Sequence, residues 1–210
     1  MRVLTRLRKL IVGKDFSKGI ISGLVRKKTL NALSDNYQSG DKILDVGCGE
    51  GLFLLKCAKI IPDSKLTGVD NWEKILEYTK QRLIIENIDN VDLVLSEGEA
   101  LPFEDSAFQH VFFINAVHNQ KDTNAVKGVI NEMLRVCSDM GRVYFDIRNK
   151  NNIFFRIMYK FVLLFDSSKP TVNMYSKKDI SSIMEKMDYS GIKYYPIDIS
   201  RTGYLVEVTK

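Results

Sequence analysis

The sequence predicts an α/β domain, a mostly parallel sheet with helices on both faces. Three observations carry that expectation. Short apolar runs alternate along the chain with stretches whose apolar residues recur at helical spacing. The run Ile43-Leu44-Asp45-Val46 breaks directly into a turn with glycine at every second position, Gly47, Gly49 and Gly51. A chain of 210 residues, 45% hydrophobic and 27% charged, can bury a sizeable core within one domain. No linker or repeat marks a boundary, and residues 1–210 read as that single domain.

In chain order, strands are expected at 42–46, 65–69, 91–95, 110–115 and 142–147. Helices fit 51–61, 72–87 and 122–137 between them; in the second, Ile75, Leu76, Leu83 and Ile84 recur at helical spacing. Two more helical stretches follow at 151–165 and 177–188, and 191–198 with 203–208 read as a closing hairpin pair. Sheets of this kind bind ligands at the carboxyl ends of their strands. Gly47, Asp70, Glu97 and Asn115 all fall there.

The glycine turn is the most informative stretch. Closely spaced glycines let the backbone pass hard against a ligand, and a following helix directs unpaired N–H groups at the same place. A dinucleotide fingerprint needs its third glycine at position 52, which is Leu52; here it comes one residue early, at Gly51. A phosphate loop needs a Gly-Lys-Ser/Thr that does not follow. Asp45 stands just before the turn, where a carboxylate repels a pyrophosphate and suits a ligand carrying an ammonium or sulfonium. The second strand ends on Asp70, placed to accept hydrogen bonds from ribose hydroxyls and equally suited to start the helix near Trp72.

Over roughly residues 40–148, these motifs resemble the class I S-adenosylmethionine-dependent methyltransferases. Leu44-Asp45-Val46-Gly47-Cys48-Gly49-Glu50-Gly51 is similar to that family's first motif, and Gly68-Val69-Asp70 to its second. Glu97-Gly98-Glu99-Ala100-Leu101-Pro102-Phe103, with Asp105 and Phe108, resembles the third motif of the small-molecule branch that includes quinone-biosynthesis enzymes. Glu132-Met133-Leu134-Arg135-Val136 resembles the run before the family's fifth strand. There are departures: Glu97 stands where Asp is usual, Gln109 replaces an acid, and Ser138-Asp139-Met140-Gly141 replaces a Lys-Pro-Gly-Gly turn. The resemblance implies a Rossmann-like sheet of seven strands, the last antiparallel, and S-adenosyl-L-methionine as cofactor.

It also implies roles for individual residues. Asp45 lies near the methionine amino group, and Gly47, Cys48, Gly49 and Gly51 line the methionine and ribose by backbone contact. Asp70 binds the ribose hydroxyls, and Asn71 with Trp72 borders the adenine. Glu97 accepts from the adenine amino group, the Gly98 N–H is directed at a ring nitrogen, and Asn115 borders the methionine end. His118, just past the fourth strand, is the candidate catalytic general base, its ordinary pKa suiting proton transfer near neutrality. Asp146, Arg148 and Asn149 end the fifth strand and are candidates for contact with the acceptor.

Charge is uneven. Residues 1–30 hold nine Lys/Arg and one acid, a balance of +8 in a chain of net charge +5. Val3, Leu4, Leu7, Leu10 and Ile11, interleaved with Arg2, Arg6, Arg8 and Lys9, read as a basic amphipathic helix within an N-terminal extension over 1–40. It suits a lid over the site or an anionic membrane surface, and nucleic acid less well, because few aromatics interleave. Residues 149–175 read as a substrate-side insertion, whose apolar run Ile153–Phe165 is too short and too charged to span a bilayer. That run fits packing on the sheet, a dimer partner, or a wall for an apolar acceptor. Cys48, Cys57 and Cys137 are too scattered for a metal knuckle, no metal site is expected, and a reducing cytoplasm is the natural compartment. The reaction implied is methyl transfer to a small-molecule or lipid-like acceptor. The alternatives are a non-catalytic cofactor-binding protein, or methylation of RNA or protein.

Overall fold

The computed structural model describes residues 19–165 and 172–210. Its strands are β1 (Lys42–Val46), β2 (Lys65–Asp70), β3 (Val91–Leu95), β4 (Phe108–Phe113), β5 (Cys137–Arg148), β6 (Gly191–Pro196) and β7 (Gly203–Thr209). Its helices are α1 (Ile20–Ser34), α2 (Leu54–Ile60), α3 (Glu73–Ile85), α4 (Thr123–Val136), α5 (Ile153–Phe165) and α6 (Lys177–Met184). The strands join in one sheet of order β3-β2-β1-β4-β5-β7-β6. β1 pairs in parallel with β2 and β4, as β2 does with β3 and β4 with β5. β7 runs antiparallel to both β5 and β6, from Arg142↔Thr209 to Arg148↔Gly203 on one side. This is the expected Rossmann-like sheet with an antiparallel last strand.

The two-residue side-chain period of a strand sends its apolar residues to both faces, and both are covered. On one face Leu44, Val111, Phe113, Val143 and Phe145 pack with Val126, Ile130 and Met133 of α4 and Ile180 and Met184 of α6. On the other, Ile43, Leu66, Phe112, Tyr144 and Leu205 pack with Val25 and Leu33 of α1 and Leu54 and Cys57 of α2. Phe112 and Tyr144 stack at 4.8 Å in the middle of that second layer.

Some boundaries differ from the sequence reading, each for a local reason. The helix expected at 51–61 begins at Leu54, because Gly51 sits at φ +69°, outside helical space. The strand expected at 110–115 ends at Phe113: Asn115 is left-handed at φ +59°, and its N–H turns to the Asp146 carboxylate instead of a neighbouring strand. The helix expected to reach 137 stops at Val136, because Cys137 already pairs with Phe108 and opens a twelve-residue β5. The expected helix at 177–188 ends at Met184. The basic amphipathic stretch Val3–Ile11 lies outside the described residues.

Candidate functional site

The loops at the carboxyl ends of β1, β2, β3 and β4 enclose a cleft with two lobes of about 450 and 410 Å³. The lobes share Gly47, Asp70, Asn71, Phe113 and Gln120, so they are one continuous site. The first lobe adds Arg26, Asp45, Cys48, Gly49 and Asn115. The second adds Ser96, Glu97, Gly98, Lys121 and Val129.

The glycine turn shapes the first lobe by approaching other elements closely. Gly49, which lines the lobe, has φ +51° and open space where a Cβ would project. Gly51 has φ +69°, and a Cβ there would lie 2.6 Å from Cγ2 of Thr79. Thr79, fully buried on α3, donates its hydroxyl to the Gly49 carbonyl at 2.7 Å. Arg82, one turn later, donates to the Glu50 carbonyl at 2.7 Å. Asp70 ties the turn to the second strand: its carboxylate accepts the Gly49 N–H at 2.9 Å and the Trp72 N–H at 3.1 Å.

Three acids are spread along the cleft. Asp45, only 2% exposed, lies in the first lobe; burial and the nearby Asp70 push its carboxyl well above the usual range. A cation beside it relieves both costs. Asp70 stands where the lobes meet. Glu97 lies in the second lobe and accepts from the Asn71 side chain at 3.0 Å. Next to it, a Cβ on Gly98 would lie 3.1 Å from Val46 and 3.2 Å from Val129, so this backbone sits hard against the first strand and α4.

The Glu97 loop is held by the run before β5. Glu132 accepts the Leu101 N–H at 2.9 Å. Arg135 donates to the carbonyls of Leu101 and Phe103 at 3.0 and 2.8 Å and pairs with Glu132 and Asp105 at 2.8 Å each. The two motifs are therefore mechanically one unit.

Asn115 is fixed from beneath. Asp146 accepts its backbone N–H and pairs with Arg148 at 2.7 Å, both side chains buried. Arg148 also donates to the Asn115 side-chain oxygen at 3.0 Å and reaches the Ser22 hydroxyl of α1 at 3.5 Å. Asp146 and Arg148 line neither lobe; they hold the floor on which Asn115 sits, rather than facing an acceptor there.

Most of the expected site residues therefore meet in one cleft, but, besides Asp146, Arg148 and Asn149, three do not line it. Gly51 acts behind the turn. Trp72 is 59% exposed beside the cleft, at the start of α3. His118 lies on the 3-10 turn Val117–Asn119 and is 1% exposed. Burial and nearby Arg148 hold its imidazole well below the ordinary range, hence neutral. Arg26, Phe113 and Gln120 line the cleft without having been singled out from sequence. In the sequence Arg26 stands out only as one of the basic residues of the N-terminal extension. The fit to a sulfonium cofactor rests on two features, carboxylates at both ends and the middle of the cleft, and glycine backbone where a side chain would obstruct it. Among the described residues, no group of three or more His, Cys, Asp or Glu is placed to hold a metal ion.

Residues 43–141 match a family model described as a methyltransferase domain. A demethylmenaquinone methyltransferase from Symbiobacterium thermophilum is 36% identical over 109 residues, which is 51% of this chain and 42% of that protein. Thus the match spans less than half of that relative. A demethylmenaquinone methyltransferase from Staphylococcus aureus is 26% identical over 187 residues, 80% of this chain and 75% of its own length. Among solved structures, a SAM-dependent methyltransferase from Methanosarcina mazei superposes with TM-score 0.67 at 15% identity, covering 85% of this chain and 96% of the other. One from Aquifex aeolicus gives 0.64 at 19% identity, covering 88% of each. With its motifs arrayed around one cleft of the matching fold, the chain is similar in sequence and architecture to the S-adenosylmethionine-dependent methyltransferases.

Proposed function

We propose that the chain transfers the methyl group of S-adenosylmethionine to an apolar small molecule of the quinone type. The observation that carries the cofactor half of this reading is the distribution of Asp45, Asp70 and Glu97 along one continuous cleft. In this reading Asp45 faces the methionine ammonium, with Gly47, Cys48, Gly49 and Asn115 around the methionine and ribose. Asp70 accepts from the ribose hydroxyls, Asn71 and Trp72 border the adenine, and Glu97 with the Gly98 N–H reads the adenine edge. Gly51 sets the turn that brings these groups together.

When bound, the cofactor supplies an already electrophilic methyl group, so the protein's task is chiefly alignment and exclusion of water. His118 is the proposed general base for the acceptor proton. Its neutral state leaves a ring nitrogen able to take that proton, and its burial means that the 3-10 turn must shift for the two to meet.

Two observations support an apolar acceptor. Both curated relatives described above are named for demethylmenaquinone methylation. In addition, α5 exposes Ile153, Phe154 and Ile157, all at least 60% accessible, directly after the strand that ends at the site. Large apolar side chains grouped in this way on an exposed helix suit contact with an apolar ligand or partner. An anionic membrane is the proposed partner of the basic stretch Arg2–Lys9. No helix among the described residues is long and apolar enough to cross a membrane.

Calorimetric titration with S-adenosylmethionine, S-adenosylhomocysteine and NADH tests the cofactor, with Asp70→Ala as the companion variant. Binding of the first two, weakened in the variant, and none of NADH is the expected result; no binding of either sulfur compound refutes the reading. Methyl transfer to a demethylated quinone, assayed beside bulk RNA and protein, tests the acceptor. Labelling confined to RNA or protein overturns it.

A further inference from the structure

The methionine end of the cofactor carries two charges, an ammonium and a carboxylate. The acids of the cleft account only for the first. Among the described residues lining the first lobe, the single Lys or Arg is Arg26, and the charged residues beside it are Asp45, Glu50 and Asp70.

Arg26 reaches the lobe from α1, which precedes the glycine turn and belongs to no motif of the sheet. The helix turns Ser22, Val25, Thr29 and Leu33 inward at three- and four-residue spacing. Ser22 is the anchoring point: Arg148 reaches its hydroxyl at 3.5 Å, and the Asn115 side chain donates to its carbonyl at 3.4 Å. Since Asn115 itself lines the lobe, α1 is pinned across that end of the cleft. Arg26, half-buried, lies one turn further along on the same face and lines the lobe.

We propose that Arg26 binds the α-carboxylate of the cofactor's amino-acid head, so that α1 and β1 read the zwitterion from opposite sides, Arg26 the carboxylate and Asp45 the ammonium. A planar guanidinium presents paired donors that match a carboxylate, and a partly desolvated charge-assisted bond is stronger than one on an open surface. The helix before the glycine turn is thereby a cofactor-binding element and not only a cover. Burial lowers the pKa of Arg26 while Asp146 raises it, and a ligand carboxylate acts in the same direction as Asp146. This assignment rests on the cofactor reading above.

The test compares S-adenosylmethionine with its decarboxylated analogue, which retains the sulfonium, the amine and the adenosine, in calorimetric titrations of the full chain. Arg26→Met keeps the apolar stem and removes the charge. It is expected to weaken S-adenosylmethionine binding about 10–100-fold and to leave the decarboxylated analogue within about twofold. Arg26→Lys, which keeps the charge, should recover part of the loss. Equal weakening of both ligands overturns the proposal in favour of a general role in shaping the lobe, and unchanged affinity for both overturns it outright. Thermal melts of both variants identify a folding defect; if Arg26→Met does not fold, Arg26→Lys must still weaken S-adenosylmethionine more than the analogue, or the proposal falls. Failure of the unaltered chain to bind either ligand refutes the cofactor reading itself, a different result from normal binding that ignores Arg26.

Discussion

Replacing Gly51 with alanine should destabilise the fold by about 2–4 kcal/mol, in two separable parts. The left-handed backbone at φ +69° costs an alanine roughly 1–2 kcal/mol, offset by about 0.4–1 kcal/mol from a stiffer unfolded chain. The new Cβ would also lie 2.6 Å from Cγ2 of Thr79, and this neighbour cannot swing away. It is fully buried, and its hydroxyl is held by the Gly49 carbonyl at 2.7 Å. Such overpacking adds about 1–3 kcal/mol.

Thr79→Ser isolates the second part, because it removes Cγ2 and keeps the hydroxyl and its hydrogen bond. Alone it loses one buried methyl, about 1 kcal/mol. Combined with Gly51→Ala it should recover about 1–3 kcal/mol relative to additivity. Gly49→Ala is the contrasting control. Its φ is similarly left-handed at +51°, but nothing lies within 4 Å of the added methyl. It should cost only about 1 kcal/mol of stability while weakening cofactor binding, since Gly49 lines the first lobe. Urea unfolding of the four variants, read as midpoint shifts at constant slope, measures each term. A Gly51→Ala variant as mild as Gly49→Ala, or a strictly additive double variant, would refute the reasoning.

Four further outcomes are open to measurement, three from the same geometry and one from the sequence of the N-terminal stretch. Asp45→Asn removes a buried carboxylate near Asp70, so it should raise the melting temperature and yet weaken S-adenosylmethionine about 10–100-fold. In the unaltered protein the raised Asp45 pKa means that a cationic ligand favours its ionised form. Affinity should therefore fall as pH drops through that raised pKa, with proton release on binding just below it; titrations in buffers of different ionisation enthalpy detect this, and a flat pH profile contradicts it. Asp146→Ala strands the Arg148 guanidinium in the interior, costing about 3–5 kcal/mol and so about 10 °C in melting temperature; a shift under about 2 °C would show the pair to be hydrated. For the basic stretch Arg2–Lys9, the full chain should co-sediment with vesicles containing phosphatidylglycerol and not with phosphatidylcholine alone, an effect lost in high salt. Equal recovery with both vesicle types argues against an electrostatic membrane contact.

Much of the fold was legible along the chain because its signals are local. Ile43-Leu44-Asp45-Val46 followed by spaced glycines reads as strand and turn within nine residues, and the strands so identified all lie in the sheet. Asp45, Asp70 and Glu97 could be placed at strand ends for the same reason, and parallel pairing then brings those ends to one edge of the sheet. Boundaries were less legible where a distant partner decides them. Asn115 leaves its strand because its N–H finds Asp146, 31 residues away.

What only the packed chain decides are contacts between residues far apart in sequence whose separate signals are unremarkable. Arg26 reads as one of many N-terminal basic residues until α1 is pinned through Ser22, which is 126 residues from Arg148. Asp146 and Arg148 read as candidates for an acceptor, yet they form the buried floor under Asn115, because the β5 strand that carries them is covered on both faces. His118 reads as a candidate base of ordinary pKa, and the 3-10 turn buries it. Periodicity and turn chemistry act over a few residues and so determine elements and their ends; burial, pairing and pKa depend on which elements meet, and that is settled only when the core closes.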